Sequence, residues 1–450
     1  MKLFDILKKN SIKYPNKEAI IIENVRLTYY ELFDQVQKTI FVFKKNKITE
    51  KSIVAIIEDN TVSHILSLFS LSYLGSTIIP LNTFYSKDWL INKFKQIKID
   101  VLISRSNYAN FLTKKTNLKT IITTDKSKKF NYFYNYQKLN INHLKKINIK
   151  NKNFLILLSS GSTGNPKPIV FTQKNKILRS KLMKDLYKIS QEDKIIVTCP
   201  IDHSLGMRLL FLPLLNGATC VLMSKFTSNN YYEILKKEKI TFSILISSQI
   251  YLLMKDKEKF KTFYLKKGLV SASSTLSNNV KKIIINKNIK LFEMYGASEI
   301  GTVTSINLAK NKKKFKSVGK SYNHGIRIKI LSNKNQFLRN NQRGEIVCKT
   351  PAIFHNYYNL KKTTKESFFK KYFKTGDIGY LDNENYLHFM GRKKNIIRRS
   401  GITIYPEDIE NIFINDRNIN DVAVLGIQKN LNEEIYLFIE KNTKVNLDYI

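Results

Sequence analysis

The chain has 450 residues, 43% apolar and 12% aromatic, which is too long for one simple core and ample for two or more domains. A formal net charge of +42 would draw a protein towards nucleic acid, anionic lipid or polyphosphate. The lysines, however, are spread along the whole chain beside abundant Asn and Ile, and no nucleic-acid motif accompanies them, so specific nucleic-acid binding is not expected. Three widely separated cysteines, Cys199, Cys220 and Cys348, suggest neither a disulfide framework nor a zinc site and point to a reducing cytoplasm. No run reads as a leader or a membrane span; the most apolar long window, residues 61–81, is broken by His64 and several serines.

Along the chain, Thr28 and Glu31 make a capping box ahead of a helix with Leu32, Val36, Ile40 and Phe43 on one face. A buried strand is predicted over 53–57, a helix through Ile65, Leu68 and Leu71, and a short strand over 77–79. Ser86 caps a helix carrying Leu90, Phe94 and Ile97, and 101–104 reads as the next strand. The stretch 114–152 mixes Lys, Asn, Tyr and Thr without periodicity. The alternation returns with strands at 195–198, 242–246, 268–271 and 290–292, and helices near 231–239 and after Leu276. This rhythm is that of parallel α/β sheets. From about residue 317 the texture becomes short and β-rich, with pieces at 326–331 and 344–348 and a turn at 382–385.

The apolar run 154–158 delivers Ser159, Ser160, Gly161, Ser162, Thr163, Gly164, Asn165, Pro166, Lys167 and Pro168. Glycines allow close backbone approach to an anion, hydroxyls and amides donate to phosphate oxygens, and Lys167 adds a mobile positive charge. The spacing differs from the common P-loop, which places Gly-Lys-Ser/Thr together at a helix start, whereas Asn165 and Pro166 separate Gly164 from Lys167 here. A plain Ser/Gly-rich turn is the alternative.

Glycine is scarce, 16 in all, yet eight fall in four short segments: Gly161 and Gly164, Gly296 and Gly301, Gly376 and Gly379, Gly391 and Gly401. The later segments read Tyr295-Gly296-Ala297-Ser298-Glu299, Thr375-Gly376-Asp377, Gly391-Arg392-Lys393-Lys394, and Gly401 through Tyr405-Pro406-Glu407-Asp408-Ile409-Glu410. In this order the motifs resemble the adenylate-forming superfamily of acyl- and aryl-CoA synthetases, firefly-type luciferases and peptide-synthetase adenylation domains. The resemblance implies an α/β fold: a large N-terminal domain over 1–391 with two α/β sheets and a small β-barrel (the β-rich part at about 315–391), then a small α+β C-terminal domain over 392–450.

The resemblance also distributes roles. Ser159 to Gly164, Ser162 among them, and Lys167 would hold the triphosphate of ATP. Glu299, with Ser162, would hold Mg2+, which keeps few protein ligands when phosphates supply the rest. Tyr295, Gly296, Ser298 and Ser273 would line the nucleotide pocket, Tyr295 offering a flat face to adenine. Asp377 would accept the ribose hydroxyls, Arg392 would reach ribose or phosphate, and Lys394, just after Gly-Arg, would be the hinge of the C-terminal domain. Pro200-x-x-His203-x-x-Gly206 resembles the segment where the acyl group meets the α-phosphate, making His203 a gate or orienting group; a satisfied structural histidine is the other reading.

Departures accompany the matches: Pro168 stands where the family usually has Gly, Ser298 where it has Thr, and Thr275 where it has Pro. Family members continue to a lysine that reaches the α-phosphate, and no residue here matches it. Losing such a donor costs ~10²–10³-fold in rate, so an incomplete C-terminal domain is expected, or a protein that has lost the first half-reaction. The expected activity is ATP-dependent conversion of a fatty or aryl acid to an acyl-adenylate, with transfer to coenzyme A or a carrier-protein phosphopantetheine. The alternatives are an amino- or hydroxy-acid adenylation domain and a catalytically weak nucleotide-binding protein.

Overall fold

The computed structural model describes residues 2–135, 144, 147–158, 166–399, 402–413, 419–429 and 432–441. They fall into two compact units, Met1–Ile244 with Ala352–Thr364, and Leu245–Pro351 with Lys365–Ile450. The class is α/β, as the alternation of elements implies.

In the first unit an eight-stranded sheet runs in the order Asn356–Tyr357, Pro168–Phe171, Leu155–Leu158, Thr77–Leu81, Ile53–Ile57, Val101–Ser104, Thr120–Thr123, Asn131–Tyr132. All neighbours from Leu155–Leu158 onward are parallel. A parallel sheet is covered on both faces, so its strands are continuous apolar runs; Val54 to Ile57 are fully buried. Pro168–Phe171 returns antiparallel on Leu155–Leu158, with Leu158 opposite Pro168. Both flanks of the Ser/Gly-rich segment, and Lys167 with them, therefore sit at the C-terminal end of the parallel strands, where open α/β sheets take their ligands.

A second group of strands in this unit runs Val25–Thr28, Glu18–Ile22, Thr219–Leu222, Lys194–Val197, with Lys194–Val197 also pairing parallel to Phe242–Ile246. Local chemistry sets the helix starts. Thr28 and Glu31 form the reciprocal box at the head of Tyr29–Lys45, and Ser86 accepts from Trp89 N at the head of Lys87–Ile97. The aperiodic basic stretch contains one further strand of the large sheet, Thr120–Thr123, and its edge, Asn131–Tyr132.

In the second unit, strand Gly268–Ala272 pairs parallel with Leu291–Ala297, and helix Asn278–Asn286 lies between them in the chain. Leu291–Ala297 then pairs antiparallel with Gly301–Asn307, and that strand with Lys320–Ser321. The β-rich region is a five-stranded antiparallel sheet, Arg327–Leu331, Gly344–Lys349, Tyr372–Leu381, Phe368–Phe369, with Leu387–Arg392 also on Tyr372–Leu381. Two hairpins follow, Ile397–Arg399 with Ile402–Ile404 and Ile419–Lys429 with Asn432–Lys441, separated by helix Pro406–Phe413.

A buried ion pair fastens helix Asn278–Asn286 to the strand beside it. Lys281 Nζ lies 3.2 Å from Glu293 Oε1, donates to Phe315 O at 2.7 Å, and both side chains are almost wholly buried. Removing one partner strands the other charge, which costs far more than the pair itself contributes. Lys281→Met is therefore expected to lower unfolding stability by ~3–5 kcal/mol, and Lys281→Met with Glu293→Leu to recover most of it. Urea denaturation of the single and double variants checks this.

Candidate active site

The second unit gathers three of the motif residues into one contact. Asp377 lies in strand Tyr372–Leu381, directly opposite Arg392 on the adjacent antiparallel strand, and Arg392 Nη1 stands 3.0 Å from Asp377 Oδ1. Tyr295, from strand Leu291–Ala297, donates its hydroxyl to Asp377 Oδ2 at 2.6 Å. The backbone N–H of Asp377 donates to Thr375 Oγ1 at 3.1 Å, and that hydroxyl donates to Ile346 O. Asp377 is 2% exposed, whereas the Arg392 side chain is 53% exposed.

Burial pushes the Asp377 carboxyl above its ordinary value. The Arg392 guanidinium and the Tyr295 hydroxyl oppose that shift, while Glu299 and Glu345 push in the same direction as burial. The Tyr295 hydroxyl is raised well above the usual phenol range, first by burial and then by the Asp377 charge, and so stays a donor. Asp377 Oδ1 is buried with no hydrogen bond, leaving acceptor capacity on the oxygen that faces Arg392.

Glu299 and Ser298 occupy the short loop between the antiparallel strands Leu291–Ala297 and Gly301–Asn307, and both are half-buried. Gly296 stands at a register shift in the same hairpin, across from Thr302. Ser273 follows strand Gly268–Ala272 with φ of +77°, a left-handed conformation that costs a non-glycine residue about 1–2 kcal/mol. It is exposed, and the neighbouring Ser274 carbonyl accepts from Ser247 Oγ. Among the described residues no group of three or more His, Cys, Asp or Glu side chains converges on a metal position.

Two acids that sequence reasoning left without a role belong to this region. Glu345 is buried and pairs with Lys393 Nζ at 2.8 Å, while its other oxygen accepts from Gly376 N at 3.2 Å. Glu407, near the start of helix Pro406–Phe413, lies with its carboxyl against Gly391, where any Cβ would overlap it. Gly391 also has φ of +97°, and it is this conformation that favours glycine there, since the flexible end of Glu407 can move aside. Burial, Glu410, Asp408 and Asp377 raise the Glu407 carboxyl to about 7. Glu407 stands within the quoted motif; a half-buried carboxylate against the Gly-Arg turn is a long-range placement that spacing alone does not reveal. Lys394 lies exposed in the short 3-10 turn Lys393–Asn395 between strands Leu387–Arg392 and Ile397–Arg399.

The first unit carries the remainder. Lys167 is exposed, its Nζ 5.3 Å from the Tyr357 ring centroid. Ser159, Ser160, Gly161, Ser162, Thr163 and Gly164 lie outside the described residues. His203 is the N-cap of helix Ser204–Leu214, with its N–H donating to Pro200 O at 3.2 Å. The Pro-x-x-His-x-x-Gly spacing has a packing cause: a Cβ on Gly206 would overlap the Pro200 carbonyl, so the turn closes only over glycine. Asp202 sits buried beside the half-exposed His203, 3.8 Å from its Nε2, and accepts from Asn82 Nδ2 at 3.3 Å. Burial raises the Asp202 carboxyl, and His203 opposes the shift. That acid also went unassigned in the sequence, where nothing distinguishes it from a loop aspartate.

The profile of the AMP-binding enzyme family matches residues 7–358. The chain belongs to the AMP-binding enzyme family. Among characterised AMP-binding enzymes it is 26% identical over 440 residues to the 2-succinylbenzoate–CoA ligase of Oceanobacillus iheyensis, covering 93% of this chain and 85% of that protein. In fold it is similar to the amide bond synthetase McbA of Marinactinospora thermotolerans, with a TM-score of 0.90 at 16% identity, covering 99% of this chain and 90% of the other. It is likewise similar to the O-succinylbenzoate coenzyme A synthetase of Bacillus subtilis in complex with ATP and a magnesium ion, with a TM-score of 0.84 at 20% identity over 96% and 89% of the two chains.

The Tyr295–Asp377 hydrogen bond makes a pH-dependent prediction. Tyr295→Phe takes away a donor to a buried carboxylate and is expected to cost about 1–3 kcal/mol at neutral pH. Because the folded Asp377 pKa already lies above its unfolded value, protonation relieves the penalty. Its contribution is present below the unfolded pKa and is lost as pH rises through the folded one. The gap between wild type and Tyr295→Phe should thus be smaller at pH 4.5 than at pH 7.5 in urea denaturation.

Proposed function

We propose that this chain is an acid–thiol ligase. It would use ATP to convert a fatty or aryl carboxylic acid to an acyl-adenylate and pass the acyl group to the thiol of coenzyme A or of a carrier-protein phosphopantetheine. The observation that carries the reading is the Tyr295–Asp377–Arg392 contact, within one unit of an AMP-binding enzyme that also carries Glu299 in its hairpin loop. A buried carboxylate with acceptor capacity left over, flanked by a cation and an aromatic ring, suits a ribose joined to an adenine. The CoA-ligase activity named for the O. iheyensis relative supports the acid and the thiol, and the ATP and magnesium named for the B. subtilis structure support the nucleotide and the ion.

In this reading Asp377 and Arg392 fix the ribose, and Tyr295, Gly296, Ser298 and Ser273 wall the base. Asp377 is shielded from solvent while Arg392 is not, so Arg392 is the side chain that yields when a nucleotide enters. Ser159 to Gly164 and Lys167 grip the triphosphate. Glu299 is the described carboxylate that would hold Mg2+, and Ser162 would join it. That ion would screen the phosphates during attack at the α-phosphorus. His203, steadied by the adjacent Asp202, faces the acyl carboxylate. Residues 392–450 form the small domain, with Lys394 as its hinge, and the three buried free thiols suit a reducing cytoplasm.

The fold by itself does not select the acceptor, since an amide bond synthetase shares it. The decisive experiment is pyrophosphate exchange across a panel of fatty, aryl, amino and hydroxy acids, followed by acyl-CoA formation with the acid that works. Exchange with an aryl or fatty acid and a CoA product are expected. Exchange with amino acids alone would favour an adenylation domain, and ATP binding without exchange a weak nucleotide binder. Glu299→Gln should lower Mg2+-dependent exchange by ~10²-fold or more. Asp377→Ala should raise the KM for ATP by ~10–100-fold, the loss of one or two charge-assisted hydrogen bonds.

A further inference from the structure

The turn after strand Thr77–Leu81 holds an apolar ring out in water. Phe84 is 90% exposed, and the backbone that carries it is fixed by three hydrogen bonds. Its N–H donates to Asn82 Oδ1 at 2.8 Å, the neighbouring Thr83 Oγ1 donates to Asp59 Oδ1 at 2.6 Å, and the Tyr108 hydroxyl donates to Thr83 O at 2.8 Å. A loop tied in this way does not expose a phenyl ring by fraying. Helices Lys87–Ile97 and Ser106–Thr113 continue the surface. Trp89, stacked on Tyr85 with ring centroids 3.9 Å apart, and Phe111 are half-buried there and pack against the core around Leu90, Phe94 and Leu112.

We propose that this surface docks reversibly on an anionic lipid bilayer, with the Phe84 ring entering the headgroup boundary. Cations frame the rings. Lys87 Nζ lies 5.1 Å from the Phe111 ring centroid, and Lys87, Lys95, Arg105, Lys114 and Lys115 are all exposed. Among the described residues none of these five is in an ion pair, and Asp88 is the one acid in the two helices. Residues 84–119 hold eight Lys or Arg against two Asp, where the whole chain has 77 basic against 35 acidic residues, so positive charge is denser here than in the chain at large.

The chemistry of the patch selects the partner. A lipid interface takes the ring out of water and sets anionic headgroups opposite the cations, while the long Lys and Arg stems lie along the apolar surface with their charged ends outward. The loop is already ordered, so docking costs it little conformational entropy. Single-stranded nucleic acid fits less well. One face of Trp89 is covered by Tyr85, and the polar groups of Asn82, Thr83 and Tyr108 are bonded within the fold, Asn82 Nδ2 to Asp202 Oδ1 among them, which leaves them unavailable to base edges. One ring and a handful of cations give weak, reversible attachment. The inference rests on the first unit alone and stands whether or not the ligase reading holds.

Trp89 is the only tryptophan in the chain, so its fluorescence reports on this surface and on no other. The test titrates the full chain with vesicles of phosphatidylcholine, with vesicles that also contain phosphatidylglycerol, and with each kind carrying brominated acyl chains. A blue shift and bromine quenching of Trp89 are expected only where phosphatidylglycerol is present, and both should weaken as salt is added. Phe84→Asp and Lys87→Glu should each shift the quenching titration to about tenfold more lipid. Lys8→Glu, a charge reversal at an exposed position of helix Leu3–Lys13, should leave it nearly unchanged and so separate this surface from the general attraction of a +42 protein. Phe84 and Lys87 are exposed, so both variants should melt as the unaltered protein does, which keeps misfolding out of the readout. Sedimentation with anionic vesicles without Trp89 quenching would overturn the proposal by placing the bilayer on another face. So would equal quenching by phosphatidylcholine alone, an unaltered titration in either variant, or a Trp89 response to single-stranded RNA but to no vesicle.

Discussion

A buried carboxylate that must be held by something is the constraint on which the second unit turns. Asp377 sits in the middle of an antiparallel sheet strand with almost no access to solvent. Left alone it would take up a proton or pull its strand outward, because an isolated carboxylate in a low-dielectric interior is far costlier than a paired one. Two distant segments answer that demand: Tyr295 from the strand Leu291–Ala297 and Arg392 from the strand Leu387–Arg392. Three motifs separated by some eighty residues and then by fifteen are thereby fixed in one register. The strand-to-strand pairing of Asp377 with Arg392 makes their contact a product of the sheet itself, while the Tyr295 hydroxyl ties that sheet to the parallel pair beside it.

The chain's compositional bias explains where its backbone spends strain. Among the described residues, twelve other than glycine take positive φ, nearly all Lys or Asn, among them Lys98 and Lys188, which end helices in the left-handed conformation that usually belongs to glycine. Asn tolerates that region; Lys costs about 1–2 kcal/mol each time. Glycine is then retained where backbone leaves no room for a side chain, as at Gly206 under the Pro200 carbonyl and Gly296 against the Gly301 carbonyl. Gly376 and Gly391 answer instead to positive φ, so glycine in the motifs meets both packing and conformational demands.

That is also why so much of the architecture could be read from residues in order. Strands 53–57, 101–104 and 242–246 are predominantly apolar runs between turn signals and appear with those bounds. The Thr28 and Ser86 caps are local hydrogen bonds decided within four residues. Strand Thr120–Thr123 was hidden because it lies in an aperiodic basic stretch and gains its place only by pairing with Val101–Ser104. The same divide separates the site residues. Tyr295, Asp377 and Arg392 sit beside glycines that flag them. Asp202, Glu345 and Glu407 owe their significance to burial and to neighbours far away in the chain, which no local pattern encodes.

The acids near Asp377 complete the electrostatic argument. In a chain with 77 basic and 35 acidic residues, Glu299, Glu345 and Glu407 all bear on the Asp377 carboxyl or are influenced by it. Lys393 neutralises Glu345 and Arg392 neutralises Asp377, which leaves Glu407 to respond by holding its proton up to about pH 7. A carboxyl whose folded pKa is raised stabilises the structure below its unfolded value and loses that contribution as pH climbs through the folded one. The packing of Glu407 on Gly391 is therefore firmest in mild acid and weakens towards neutrality, when its charge arrives beside Asp408, Glu410 and Asp377. Arg392, next to Gly391 in sequence, then faces a growing negative field from the helix side as well as from Asp377. The turn that carries Arg392, Lys393 and Lys394 thus lies between acids on the sheet and an acid on the helix.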